Sequence, residues 1–221
     1  MSEHVVVIYP HPDDEAFGAA GTITQFREQG IPVTYLCGTL GEMGRNMGNP
    51  TFATRETLPE IRKNELIEAC KVLDVKLEML GYRDKTIEFE SREEAAQHIS
   101  SYLEKIKPSL VITHYPGYAV HPDHDAFGAA AIRAVEMMPA SERPKVWAQA
   151  ISNDHVEKLG VPDIQNDVST LFQKKLAAIM AHKSQADGML AKVKDEADDV
   201  EQAAKTWLGV EAFYEWKFES N

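Results

Sequence analysis

Val5-Val6-Val7-Ile8-Tyr9-Pro10-His11-Pro12-Asp13-Asp14-Glu15-Ala16-Phe17-Gly18-Ala19-Ala20 carries an apolar run straight into a cluster of imidazole and carboxylate side chains. Residues 4 to 9 are too apolar throughout to be a half-exposed strand, so they read as one buried on both faces. The residues after the cluster, from about 14 to 29, place Ala16, Ala19, Ala20, Ile23 and Phe26 on one helical face, and Gly30 with Pro32 stops that helix. A second strand, Val33 to Cys37, follows directly. Strand, helix and strand of these lengths make a right-handed crossover and hence a parallel sheet.

A near copy of the charged turn comes about half-way along, as His121-Pro122-Asp123-His124-Asp125-Ala126-Phe127-Gly128-Ala129-Ala130, agreeing at eight of ten positions. Asp14 becomes His124 and Glu15 becomes Asp125, so a ligand or an acid remains at both places. Ser109 to Thr113 is the strand before it, and Phe127, Ala130, Ala131, Ala134 and Met138 share the inner face of the helix it opens. If the two strands run parallel in one sheet, both turns open on one edge and can share an ion.

Residues 38 to 56 hold Gly38, Gly41, Gly44 and Gly48 with Arg45, Asn46, Asn49, Pro50 and Arg55. The segment lies at the carboxyl end of the second strand, where open parallel sheets bind ligands, and reads as a wall or lid of a substrate site. Its glycine spacing is not a dinucleotide fingerprint. Thr57 with Glu60 suggests a capping box for a helix to about residue 73, buried along Leu66, Ala69, Cys70 and Leu73. A short strand, Lys76 to Leu80, leads to the turn Gly81-Tyr82-Arg83-Asp84; Ser91 and Glu94 cap the next helix, which Pro108 ends. Further expectations are a strand from Val146 to Ile151, a helix over 168–186 with His182 on its apolar face, a solvated helix or loop over 187–206, and an edge strand from Phe213 to Phe218.

A net charge of -12 argues against a nucleic-acid backbone or an anionic membrane as the main partner. No apolar run approaches the length of a membrane span, and Met1-Ser2-Glu3-His4 lacks the basic region of a signal peptide, so a cytoplasmic protein handling small molecules is expected. Cys37 and Cys70, on a strand and a helix, read as buried reduced thiols.

Zinc in hydrolytic sites takes three protein ligands and keeps a position for water. His11 and Asp14, three apart at a helix start, can face one point, and His124 can supply the third ligand from the second turn. Asp13 then stands beside the ion as a free carboxylate able to take a proton from water. His121 can approach the oxygen that gains charge as a carbonyl is attacked, with Asp123 orienting or polarising it. A single His-Pro-Asp is usually a turn, and carboxylates at a helix start are usually caps; two copies, each behind a buried strand, weigh against that reading. His182 alone would be a satisfied core histidine, and His4, His98, His114 and His155 default to structural or solvent-facing roles.

The paired turns resemble the LmbE-like, or PIG-L-like, zinc-dependent N-deacetylases. The resemblance covers nearly the whole chain through Gly41-Glu42, Arg62-Lys63-Asn64-Glu65, Gly81-Tyr82-Arg83-Asp84 and Ala181-His182-Lys183-Ser184-Gln185. The stretches Gly41 to Pro50 and Ala53 to Pro59 look closest to the bacillithiol biosynthesis deacetylases of the second type found in bacilli. The resemblance implies one zinc ion per chain on His11, Asp14 and His124, Asp13 as general base, His121 as electrophilic or acid partner modulated by Asp123, and substrate contacts from Arg62 and Asp84. Glu42, Arg45, Arg55 and Tyr118 join the expected substrate contacts, the arginines because guanidinium meets a carboxylate with two parallel hydrogen bonds. Many relatives carry a tyrosine or arginine close before the second motif; here Tyr118 stands three residues ahead and Val120 is adjacent.

The fold expected for residues 1–221 is a single α/β domain, a Rossmann-like three-layer sandwich with a mostly parallel sheet and its active site at the carboxyl edge. The expected reaction is hydrolysis of the acetamide of N-acetylglucosaminyl malate, a small-molecule aminosugar conjugate, and the family resemblance makes homo-oligomers common. Alternatives with the same chemistry are an amidase of bacillithiol S-conjugates or a deacetylase of another N-acetylaminosugar. A non-haem iron oxygenase also uses two histidines and a carboxylate, and a metal-dependent binding protein without turnover is a third class.

Overall fold

The computed structural model describes residues 3–45, 48, 50–186 and 208–218. The stretch expected to be solvated over 187–206, and Asn46, Met47 and Asn49 of the glycine-bearing loop, lie outside the described residues. Seven strands form one sheet: β1 Val5–Tyr9, β2 Val33–Cys37, β3 Lys76–Met79, β4 Leu110–His114, β5 Lys145–Gln149, β6 Ile164–Asp167 and β7 Val210–Glu215. Their order is β3-β2-β1-β4-β5-β7-β6. The first five run parallel, and β7 runs antiparallel to both β5 and β6.

From β1 the chain winds outward through β2 and β3, then returns to build β4 and β5 on the other side. The gap between β1 and β4 is therefore the topological switch point, where crevices open outside the carboxyl ends of strands. Val5 pairs with Leu110 and Ile8 with Thr113, so the two strands end level. Both charged turns start from that edge.

Alternate residues of β1 serve two cores. Val5, Val7 and Tyr9 pack with α1 (Asp14–Gly18), α2 (Ala20–Glu28), α3 (Leu58–Leu73) and α7 (Phe172–Ala181). Val6 and Ile8 face α4 (Arg92–Ile106) and α5 (Pro122–Glu136). The result is the three-layer α/β sandwich expected, with α6 (His155–Leu159) a short addition at the far side. Burial on both faces explains why β1, β2 and β4 lack polar alternation.

Four local expectations are corrected. The helix over 14–29 breaks at Ala19, whose φ is -142°. Gln149 Nε2 donates to the Gly18 carbonyl at 2.8 Å, and Glu211 on β7 accepts from the Gly21 and Thr22 amides at 2.9 and 2.7 Å. Side chains from distant strands thus satisfy groups that a continuous helix would pair internally. Glu211 also meets Lys175 at 2.6 Å, with both side chains 1% exposed.

Thr57 does not form the expected capping box; its hydroxyl accepts from Thr54 N at 2.9 Å instead. The last strand lies at 210–215 and inside the sheet, because β6, which has no apolar run to announce it, occupies the edge. The helix expected over 168–186 begins as a 3-10 turn at Ser169–Leu171, continues as α7, and breaks at His182 before a further turn over 183–186. The Ser91 cap forms as read, accepting from Glu94 N at 3.3 Å.

Candidate metal centre

Both turns are held by hydrogen bonds to their backbone groups. In the first, the His11 carbonyl accepts from Tyr35 Oη at 2.8 Å, and the His11 amide donates to Asp14 Oδ2 at 2.9 Å. In the second, Val120 takes a positive φ of 56°, uncommon for a β-branched residue, and the amide of His121 donates to Ala119 O at 2.8 Å. Asp125 Oδ1 accepts from the Gly117 and Ala119 amides at 2.7 and 3.1 Å.

These partners decide where each imidazole carries its proton. His124 Nδ1 lies 2.9 Å from the Ala119 carbonyl, which only accepts, so Nδ1 is protonated and Nε2 of the neutral ring is bare. His11 Nε2 lies 3.2 Å from Asp84 Oδ1 and 3.3 Å from Asp123 Oδ2, so the proton is there and Nδ1 is bare. The two bare nitrogens stand 3.0 Å apart. The Asp14 carboxylate reaches both rings, one oxygen to each, with Oδ2 3.5 Å from His11 Nδ1 and Oδ1 3.3 Å from His124 Nε2. Ligands about 2.0–2.1 Å from a tetrahedral ion stand roughly 3.3 Å apart, so the donor set and its spacing fit zinc.

The electrostatics point the same way. Burial alone would depress the His11 ring, but hydrogen bonds to Asp123, Asp14 and Asp84 hold its pKa well above the usual value. Burial would likewise raise Asp14, and His124 followed by His11 pulls it well below the ordinary carboxylate range. The cluster stabilises positive charge at its centre. Other close groupings occur among the described residues: His11, His121 and His124; Asp14, His114 and His124; and His11, Asp84 and Asp123. In the last, the carboxylates face the protonated nitrogen of His11, where they steady a ligand from behind.

Asp13 lies next to these donors with φ 105°. Its Oδ2 pairs with Arg62 Nη2 at 3.0 Å. Burial raises the carboxyl, Arg62 opposes that, and the adjacent Asp14 adds to it, leaving a pKa of about 6. His121 Nδ1 accepts from the Asp123 amide at 3.1 Å, so the neutral ring carries its proton on Nε2. Burial, then His11 and His124, lowers its pKa.

Several expected roles meet different surroundings. The Asp123 carboxylate, read as the partner of His121, accepts from the Lys85 and Ile87 amides at 2.7 and 3.1 Å and faces His11; it reaches His121 through its backbone. Arg62, read as a substrate contact, is buried, with its Nη atoms on Gly41 O, Pro12 O and Asp13. A Cβ on Gly41 would stand 2.0 Å from Arg62 Nη1, so glycine there lets the loop close over the guanidinium. Asp84 is also buried, holding His11 with one oxygen and the Met43 amide at 2.8 Å with the other. Glu42 Oε1 accepts from the Asp84 amide at 3.0 Å. Arg45 and Arg55 are exposed on the loop side, and half-buried Tyr118 packs edge-on to Tyr115 at 5.5 Å.

Four residues of the site escaped the sequence reading. His114, at the end of β4, stacks on His124 with ring centres 4.1 Å apart and planes 11° apart. Glu15 and His182 form a fully buried pair at 2.6 Å. Asp125 orders the loop that orients His124. Glu15 and Asp125 lie inside the two decapeptides, His182 in a stretch that carries the resemblance and His114 at the end of the strand before the second motif, but those places do not name the partners.

The fold is a doubly wound α/β sheet in which histidines and aspartates from two turns meet at the switch point between β1 and β4, the place where enzymes of this architecture bind their ligands. Residues 6–135 match the PIG-L family, described as GlcNAc-PI de-N-acetylase, and the chain belongs to that family of N-deacetylases. It is 49% identical over 220 residues to a Bacillus cereus protein named probable N-acetyl-alpha-D-glucosaminyl L-malate deacetylase 2, covering 99% of this chain and 100% of that one. A Bacillus subtilis strain 168 protein of the same name is 48% identical, covering 98% and 99%. Among solved structures, N,N'-diacetylchitobiose deacetylase from Pyrococcus horikoshii superposes with a TM-score of 0.76 at 26% identity, covering 97% of this chain and 84% of that one. The 4-carboxy-2-hydroxymuconate hydratase GalB from Pseudomonas putida KT2440 superposes at 0.74 with 17% identity, covering 99% and 98%, a likeness of fold alone. Among the described residues, no helix is long and apolar enough to cross a membrane.

Proposed function

We propose that the chain hydrolyses the acetamide of N-acetyl-α-D-glucosaminyl L-malate, using one zinc ion held by His11, Asp14 and His124. The observation that carries this reading is that the bare nitrogens of His11 and His124 stand 3.0 Å apart, each within 3.5 Å of an oxygen of the Asp14 carboxylate. Zinc bound there supplies a Lewis acid that polarises the amide carbonyl and makes water more acidic.

Asp13 takes the proton from water as its oxygen adds to the acetyl carbon. A carboxyl of pKa about 6 suits proton transfer in both directions near neutrality. Arg62 keeps that carboxylate oriented from the side away from solvent. His121 Nε2–H donates to the oxygen that becomes negative in the tetrahedral intermediate. When the carbon–nitrogen bond breaks, protonated Asp13 returns its proton to the departing amine, leaving acetate and the free aminosugar.

The malate assignment rests on near-half identity, over essentially full length, to proteins named for that substrate. Arg62 is engaged within the protein, so exposed Arg45 and Arg55 are the loop arginines available to the malate carboxylates. The test is acetate release from N-acetylglucosaminyl malate by metal-stripped protein with and without added zinc, beside diacetylchitobiose and a bacillithiol S-conjugate. The expected outcome is zinc-restored turnover with the malate conjugate preferred. Faster cleavage of either comparator would overturn the substrate assignment, and oxygen consumption without acetate would overturn the reaction.

A further inference from the structure

Asp13 holds a left-handed backbone conformation, φ 105° and ψ -29°, that disfavours any residue with a Cβ. Such a conformation persists only when its surroundings over-determine it. One restraint is Arg62, on the side chain. On the backbone, the Asp13 carbonyl accepts from the Ala16 and Phe17 amides at 2.9 and 3.0 Å, and the Asp13 amide donates to Glu15 Oε2 at 3.1 Å.

Glu15 has no exposed surface, so its charge needs partners inside the protein. Its second oxygen lies 2.6 Å from Nε2 of His182, which is equally buried and 167 positions away in sequence. His182 sits at the break after α7, and that break is pinned from its other side. Ser184 donates to Glu65 on α3 through both its amide and its hydroxyl, at 2.8 and 2.6 Å. Gln185 Nε2 donates to the Arg45 carbonyl at 2.8 Å. Residues 182–185 therefore tie together the turn bearing Asp13, α3 and the glycine-bearing loop. His182 itself belongs to none of the His and Asp groups gathered around His11 and His124 among the described residues.

We infer that His182 is a positioning residue for Asp13, acting through Glu15 to hold the Asp13 backbone in its left-handed turn. This rests on the reading of Asp13 as the base. Removing the imidazole leaves Glu15 without its partner and frees the amide of Asp13 to relax, which moves the carboxylate while leaving His11, Asp14 and His124 in place.

The test measures kcat, KM, bound metal and thermal midpoint for His182→Leu and His182→Gln, and repeats His182→Leu in an Asp13→Asn background. Partners that orient a functional group typically contribute 10–100-fold. His182→Leu is expected to lower kcat by about that factor, with KM within about twofold and one metal per chain. His182→Gln, whose amide can donate from nearly the same position, should restore most of kcat. In the Asp13→Asn background the further loss should be under about twofold, because a group acting through Asp13 has little left to remove. If the leucine variant fails to fold, the same cycle is run with His182→Asn, whose amide is too short to reach Glu15. An equal loss in both backgrounds, or no loss in either single variant, overturns the inference alone. Unchanged kcat in Asp13→Asn overturns the base assignment and the inference with it.

Discussion

Nδ1 of His11 lies 3.0 Å from Nε2 of His124, across 113 positions of sequence, and neither nitrogen carries a proton in the neutral ring. Two lone pairs facing each other beside a carboxylate repel unless something positive lies between them. A cation relieves that repulsion, and a proton does so less completely because it serves one pair at a time.

Stripping the metal should therefore lower stability as well as activity. A ligand that binds only the folded state stabilises it by about 2.7 kcal/mol at a hundredfold excess over Kd. Chelator-treated protein should melt lower than zinc-loaded protein, and Asp14→Ala should remove the difference. Identical melting curves with and without zinc would contradict the site.

Asp125 binds no ion in this reading, yet its carboxylate orders Gly117 and Ala119, and the Ala119 carbonyl holds the proton of His124 on Nδ1. Asp125→Ala should weaken zinc affinity by about 10–100-fold, measured by competition against a chelator. Wild-type affinity would mean that the loop keeps its shape without the carboxylate.

Gly18 and Gly128 hold the same place in the two motifs but face different neighbours. A Cβ at Gly128 would stand 2.4 Å from the His114 carbonyl oxygen, part of β4; at Gly18 it would meet the end of the Gln149 side chain, also at 2.4 Å. Backbone in a sheet yields less than a side chain. Urea titration should show Gly128→Ala losing about 1–3 kcal/mol, more than Gly18→Ala. The reverse order would place the tight helix–strand approach in the first motif.

Lys175 and Glu211 are a buried pair whose acid also caps α2. Lys175→Met leaves that acid uncompensated and should cost about 3–5 kcal/mol in chemical denaturation. Adding Glu211→Gln to Lys175→Met should recover part of the loss, since the amide is neutral and its oxygen still accepts one backbone amide. A small single-variant effect would show that Glu211 is held well enough by the Gly21 and Thr22 amides.

Much of the architecture was legible because it follows from local repetition. An apolar run without alternation demands burial on both faces, which placed β1 in the interior, and the strand–helix–strand lengths made the sheet parallel. The two decapeptides, each behind such a strand, showed that His11, Asp14 and His124 were the residues to bring together. What could not be read were pairings between charged groups far apart in sequence. The family resemblance made Arg62 and Asp84 substrate contacts, and only the fold shows their partners, Asp13 and His11.

The chain by itself determined the layers, the common sheet edge of the two turns and which histidine and aspartate side chains meet there, since these depend on residue type and period. Tertiary structure alone decided the tautomers of His11 and His124, the break in the first helix at Ala19, the interior place of β7 and the buried Glu15–His182 pair. The His124 tautomer is set by the Ala119 carbonyl five residues back, through a loop shape the sequence does not spell out; the others depend on partners supplied by distant segments, which local residue type and period do not name.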